Sequence, residues 1–97
     1  AVVYDTHMSL AHAAIIRRTL EEAGVTSMRV VLSHWHTDHV AGNEVFADCQ
    51  IIANALTIEA LDEHRAELES GDPPIRPLVI TSRSWRTTGM WRMLWPT

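Results

Sequence analysis

Val30-Val31-Leu32-Ser33-His34-Trp35-His36-Thr37-Asp38-His39 joins a continuous β-favouring run to a dense group of polar side chains. The run predicts a short strand. Directly after it, three of the chain's six histidines and one carboxylate fall within six residues. Imidazole and carboxylate are good ligands for borderline divalent metals. If the chain leaves the strand extended, residues i and i+2 point the same way. His34 and His36 then face one ion, with Trp35 and Thr37 turned away. Asp38 continues that alternation, and His39 joins only if the backbone turns. A turn into a helical segment over residues 38–43, eased by Gly42, supplies the bend. His34 and His36 would serve one metal position, and Asp38 and His39 a second.

Upstream, Val2-Val3-Tyr4 is a second apolar, β-favouring run, expected to be buried on both faces, and it ends at Asp5. Ser9 offers an N-cap to a helix over 10–23. Its apolar stripe is Leu10, Ala13, Ala14, Ile16, Leu20 and Ala23, with Arg17, Arg18, Glu21 and Glu22 largely off it. Gly24 suits the position after the helix end. Strand, helix and strand within about 30 residues make a βαβ unit with parallel strands. Ligand sites in open α/β sheets lie beyond the carboxyl ends of the strands. Asp5 and the segment His34–His39 are thereby predicted on one edge of the sheet.

Downstream, a short helix is predicted around Glu44–Ala47 and a third strand at Ile51-Ile52-Ala53. Asn54 caps a further helix reaching about Glu69, with Leu56, Ile58, Leu61 and Leu68 as its apolar stripe. Glu63, His64 and Glu67 read as its solvated face. Gly71 ends it, Asp72-Pro73-Pro74 forces an extended or turning connection, and Leu78-Val79-Ile80 is a fourth strand candidate. His7 reads as a turn residue near the site, and His12 as a helix-surface residue. Trp35 either walls a substrate pocket or packs. Cys49 reads as a small, largely buried side chain.

Ser33-His34-Trp35-His36-Thr37-Asp38-His39-Val40-Ala41-Gly42-Asn43 resembles the HxHxDH signature of the metallo-β-lactamase-fold hydrolases, including the Gly-Asn that often follows. Val3-Tyr4-Asp5-Thr6 resembles that family's upstream strand and Asp, with His7 where a Gly is common. The resemblance covers about residues 1–80. It implies an α/β fold: a partial αβ/βα sandwich, with a βαβ unit of parallel strands and a further helix. His34 and His36 would be ligands of a first zinc, and Asp38 and His39 of a second. Asp38 would also orient the attacking hydroxide, the one catalytic role the resemblance assigns. Asp5 would support the loop that carries the ligands. Zinc-bound hydroxide would attack an ester, amide or thioester-type small molecule. The family's remaining ligands, a third His for the first site and an Asp and a His for the second, have no counterpart after His39. The competing expectation is a truncated, non-catalytic metal-binding remnant, or a module completed by another chain, as in a homo-oligomer.

Composition bounds the rest. The chain has 97 residues, enough for one small domain, and a net charge of −4 that argues against a nucleic-acid partner. No stretch approaches the roughly 18 apolar residues of a membrane span. Cys49 is alone, so no internal disulfide forms and a reducing, cytoplasmic setting is expected. Ala1 opens an apolar run without an initiator Met, as expected of a cut or processed end. Residues 1–81 hold all 12 acids and are expected to form the N-terminal half of the domain. Residues 82–97 hold Arg83, Arg86, Arg92 and three of the four Trp, with no acid. This atypical tail is expected to be an out-of-frame reading of GC-rich DNA, a cover for the sheet, or a partner-binding segment, the first being favoured.

Overall fold

A computed structural model describes residues 1–71, Pro74, Trp85–Thr88 and Trp91–Leu94. The chain opens with strand β1 (Val2–Tyr4), helix α1 (Leu10–Glu22) and strand β2 (Arg29–Leu32). A single helical turn α2 (Thr37–Val40) and a 3-10 turn (Asn43–Phe46) lead into β3 (Gln50–Asn54). Helices α3 (Ala55–Glu63) and α4 (Arg65–Ser70) follow, then strands β4 (Trp85–Thr88) and β5 (Trp91–Leu94). The sheet order is β1-β2-β3-β5-β4. The first three strands are parallel, with Val3 beside Val30 and Val30 beside Ile51. β5 runs antiparallel to β3, and β4 antiparallel to β5. The α/β class and the parallel βαβ unit are as the sequence implies. No helix among the described residues is long and apolar enough to cross a membrane.

Local chemistry accounts for the boundaries of α1. Ser9 Oγ accepts the His12 backbone N–H at 3.1 Å, satisfying one of the donors that a helix start leaves open. At the other end Gly24 takes φ +88°, a region that disfavours a β-carbon. The Gly24 N–H then reaches Glu21 O and the Val25 N–H reaches Leu20 O, closing the helix with paired bonds.

Alternation along the strands sends Val3, Val30, Leu32, Ile51 and Ala53 into the core, under Ala13, Val40, Phe46, Ile58, Leu61 and Leu68. Val2 and Tyr4 lie exposed on the opposite face, so β1 is covered on one side and not on both as predicted. The reason is position: β1 is an edge strand, and α1 packs on one face only. The predicted stripes shift too. Leu10, Ala14 and Ala23 of α1 are exposed, and so is Leu56 of α3, whereas Thr57 is buried. The single predicted helix to Glu69 is divided at His64, whose φ of −95° and ψ of 9° leave the helical well. Neither strand of the tail was expected from its composition. The candidate strand Leu78–Ile80 and Asp72-Pro73 lie outside the described residues.

Arg17 does more than line a solvated helix face. Its guanidinium grips both oxygens of Asp48, donates to Val45 O at 2.7 Å, and lies 5.9 Å from the Phe46 ring centre. α1 is thereby clamped to the approach of β3. The same hydrogen bonds hold the Asp48 carboxyl down at about 2, against an ordinary value of 3.8. A depressed carboxyl contributes stability above its unfolded pKa and loses it as pH falls through the folded one. Asp48 is 66% exposed, so solvent screening limits the contribution to about 1 kcal/mol. Asp48→Asn is expected to lower stability by that amount at pH 7 in urea titrations. The gap between variant and parent should narrow as pH drops from about 4 toward 2.

Candidate metal centre

The carboxyl ends of β1 and β2 build the site. Asp5 follows β1 in a left-handed conformation, φ +63°, which Asp tolerates better than most residues. Its own N–H still donates to Val31 O at 2.8 Å, so the turn begins only after the strand pairing ends. The buried carboxylate then bridges to β2. Oδ1 accepts the Ser33 backbone N–H at 2.7 Å, and Oδ2 accepts the Ser33 hydroxyl at 2.7 Å. Oδ2 also lies 2.7 Å from His39 Nδ1.

These contacts set the charge states. Burial works against an ionised Asp5, but the Ser33 N–H, His39 and the Ser33 hydroxyl together hold the carboxyl below its ordinary range. The hydrogen bond to Asp5 raises His39 above the ordinary histidine value, against some desolvation, with the charges of Asp38 and Asp5 adding to the rise. Asp5→Asn removes the larger cause of that rise. The His39 imidazole, followed by NMR, is expected to titrate above the usual histidine range in the parent and to fall back toward it in the variant. An unchanged His39 titration would separate the two groups. Exchanging a charged acceptor for a neutral one in this network should also cost about 1.5–3 kcal/mol of stability.

The tautomers follow from the same bonds. Ser33 donates its only hydroxyl proton to Asp5, so His34 Nδ1, 2.8 Å from Ser33 Oγ, must be the donor there. His39 Nδ1 likewise donates to Asp5. Both rings therefore turn Nε2 outward as the nitrogen left for a ligand. Their centres lie 4.0 Å apart, and the His36 ring meets His34 edge-on at 4.7 Å. Asp38 is exposed, with Oδ2 3.3 Å from His39 Nε2.

α2 brings His39 into the group. The turn begins at Thr37, so Asp38 leaves the extended alternation earlier than the strand reading had it. Backbone bonds tie it down: the His39 N–H reaches His36 O, and the Thr6 N–H reaches His39 O, each at 2.9 Å. Thr6, fully buried, also donates its hydroxyl to Asn43 Oδ1 at 2.6 Å. Gly42 closes the same corner, packed against the Thr6 backbone and Ala13.

His34, His36, Asp38, His39 and Asp5 thus share one edge of the sheet. His7 takes φ +64° at the slot where the resemblance expects Gly, and its side chain is exposed. His12 lies on the surface of α1, and Cys49 is buried at the opposite end of β3. Two supports escaped the sequence reading. Ser33 was legible only as the first residue of the motif, although a hydroxyl at a strand end is a standard partner for neighbouring polar groups. The ring of His64 lies against Trp35, a contact that no local spacing signals.

The donor chemistry suits zinc: imidazoles with Nε2 left for a ligand, one held by a carboxylate at Nδ1. The count falls short. Among the described residues, no three His, Cys, Asp or Glu side chains form a set ready to hold one ion.

A parallel βαβ unit carrying a polar cluster beyond its strand ends defines an α/β domain with its candidate site at the sheet edge. The family model described as the metallo-beta-lactamase superfamily matches residues 1–90, and the chain belongs to that superfamily. Comparison with curated proteins gave no match, and comparison with solved structures gave none.

Proposed function

We propose that this chain carries the zinc-binding segment of a metal-dependent hydrolase acting on small ester, amide or thioester-type molecules. The observation that supports this most is the Asp5–His39 pair. At 2.7 Å the buried carboxylate keeps the proton on Nδ1 and leaves Nε2 for a metal. His34, His36 and His39 would supply nitrogens, and Asp38 an oxygen. Zinc, when bound, lowers the pKa of water and polarises the bond under attack.

The chain's own residues do the rest. Asp5 and Ser33 fix two rings before any ion arrives, so little ordering is left to oppose binding. Asp38, exposed beside His39 Nε2, is free to turn toward a ligand or to orient a nucleophile. Because His39 holds its second proton above the ordinary histidine value, that proton competes with the metal at Nε2. Zinc uptake should weaken as pH falls.

A second reading has its own support. With no complete set of three donors among the described residues, the site would bind tightly only when another chain adds ligands. Size-exclusion chromatography with elemental analysis, run beside hydrolysis of ester and β-lactam reporters, separates the two. About two zinc ions per chain with turnover supports the hydrolase. Zinc retained only in an oligomer, without turnover, supports the assembly-dependent module. Protein that holds no zinc under any condition would end both readings.

A further inference from the structure

Ring contacts continue beyond the three clustered histidines. Trp35, between His34 and His36 in the chain, meets the His36 ring edge-on, with centres 4.9 Å apart and planes at 78°. The same indole lies flat on His64, with centres 3.9 Å apart and planes only 2° from parallel. His64 stands at the junction of α3 and α4, where the helix breaks, with Nδ1 3.4 Å from Glu67 Oε2. A continuous file of rings therefore crosses the sheet edge: His64, Trp35, His36, His34, His39. It ends on Asp5 at the far side.

The two ends of this file are anchored differently. His39 and His34 are held by hydrogen bonds to Asp5 and Ser33. No such bond to the His36 side chain is found among the described residues. His36 belongs to the irregular stretch between β2 and α2, and its ring is exposed. Its neighbours in the file are His34 on one side and Trp35 on the other. Trp35 in turn is half-buried and packs on the core. Offset or parallel stacking of aromatic faces is favourable and directional, so a ring lying flat on the indole restricts its rotation. A restricted indole restricts the imidazole that leans on it.

We propose that His64, stacked on Trp35, is a positioning residue that holds the indole and through it presets the direction of His36. The metal-related part rests on the zinc-binding reading above. The ordering part does not. His64 contributes its flat face here, while its Nδ1 is turned to Glu67.

Two variants and two readouts test this. His64→Ala removes the face; His64→Phe keeps it and removes the nitrogens. In metal-free protein, the nuclear Overhauser contacts between the Trp35 and His36 rings are expected to be lost in His64→Ala and to return in His64→Phe. Zinc affinity, measured by competition with a chromophoric chelator, should fall about tenfold in His64→Ala and recover in His64→Phe, the scale seen when an outer support of a metal ligand is lost. Should His64→Ala fail to fold, His64→Gln keeps bulk and polarity without an aromatic face and takes its place. Trp35–His36 ring contacts that are equal in parent and His64→Ala overturn the proposal, whatever the zinc result. So does a folded His64→Phe in which those contacts stay lost. A parent protein that binds no zinc sinks the zinc-binding reading alone, since the ring-contact comparison still decides the role of the stack.

Discussion

Gly42→Ala is expected to destabilise the protein by about 3 kcal/mol or more, the upper end of what overpacking a core costs. The backbone at Gly42, φ −93° and ψ 7°, is open to any residue, so the penalty is one of space. A β-carbon there would drive into the carbonyl oxygen of Thr6 and the β-carbon of Ala13. Neither can swing aside. Ala13 is fixed in α1 and fully buried, and the Thr6 carbonyl belongs to a segment bonded through its N–H to His39 O. Relief requires parting the loop after β1 from the turn that carries His39. Small domains hold only about 5–15 kcal/mol in reserve, so the variant should unfold at a visibly lower denaturant midpoint with unchanged slope. A midpoint loss worth less than about 1 kcal/mol would mean the corner relaxes more freely than its packing indicates.

His36→Ala should abolish zinc uptake while leaving the fold almost untouched. The ring is exposed and, although His36 stands at the N-cap of α2, its side chain makes no capping bond. Its loss should therefore move stability by no more than about 0.5 kcal/mol. The effect on metal is of another order. Catalytic zinc sites draw about three protein ligands, so a cluster already short of a complete set cannot spare an imidazole. Elemental analysis after gel filtration, with the parent alongside, reads the outcome. Uptake that persists unchanged in the variant would show that the metal, if any, is held elsewhere. The contrast between the two substitutions separates the architecture of the edge from its chemistry. One variant weakens the fold with the site intact in sequence, and the other loses the site with the fold intact.

The parts of this architecture that rest on local pattern were legible. Val30-Val31-Leu32 forms the central parallel strand because a short apolar β-branched run has few other options. Ser9 and Gly24 bound α1 through capping chemistry that acts over a few residues. The shared edge of Asp5 and the histidines follows from strand direction alone. What remained hidden depends on pairing at a distance. β1 is bare on one face because it lies at the sheet edge, a fact absent from Val2-Val3-Tyr4 itself. Arg17 reads as a surface residue until Asp48, far along the chain, is folded against it. His64 likewise reads as solvated until α3 lays it on Trp35. In the tail, Trp91–Leu94 pairs with β3 and Trp85–Thr88 with Trp91–Leu94, pairings that their own composition, with no period of two, does not signal.

The register of the sheet also sets an order of events during synthesis. Val3 needs only Val30, and Val30 only Ile51, to begin the parallel pairs, whereas Ile51 waits for Leu94 on its other side. Chains emerge N-terminal end first, and short loops close at lower entropic cost than long ones. Asp5, Ser33, the three clustered histidines and His64 all lie ahead of α4, before either antiparallel strand leaves the ribosome. The polar cluster is thus assembled by the half of the sheet that is made first.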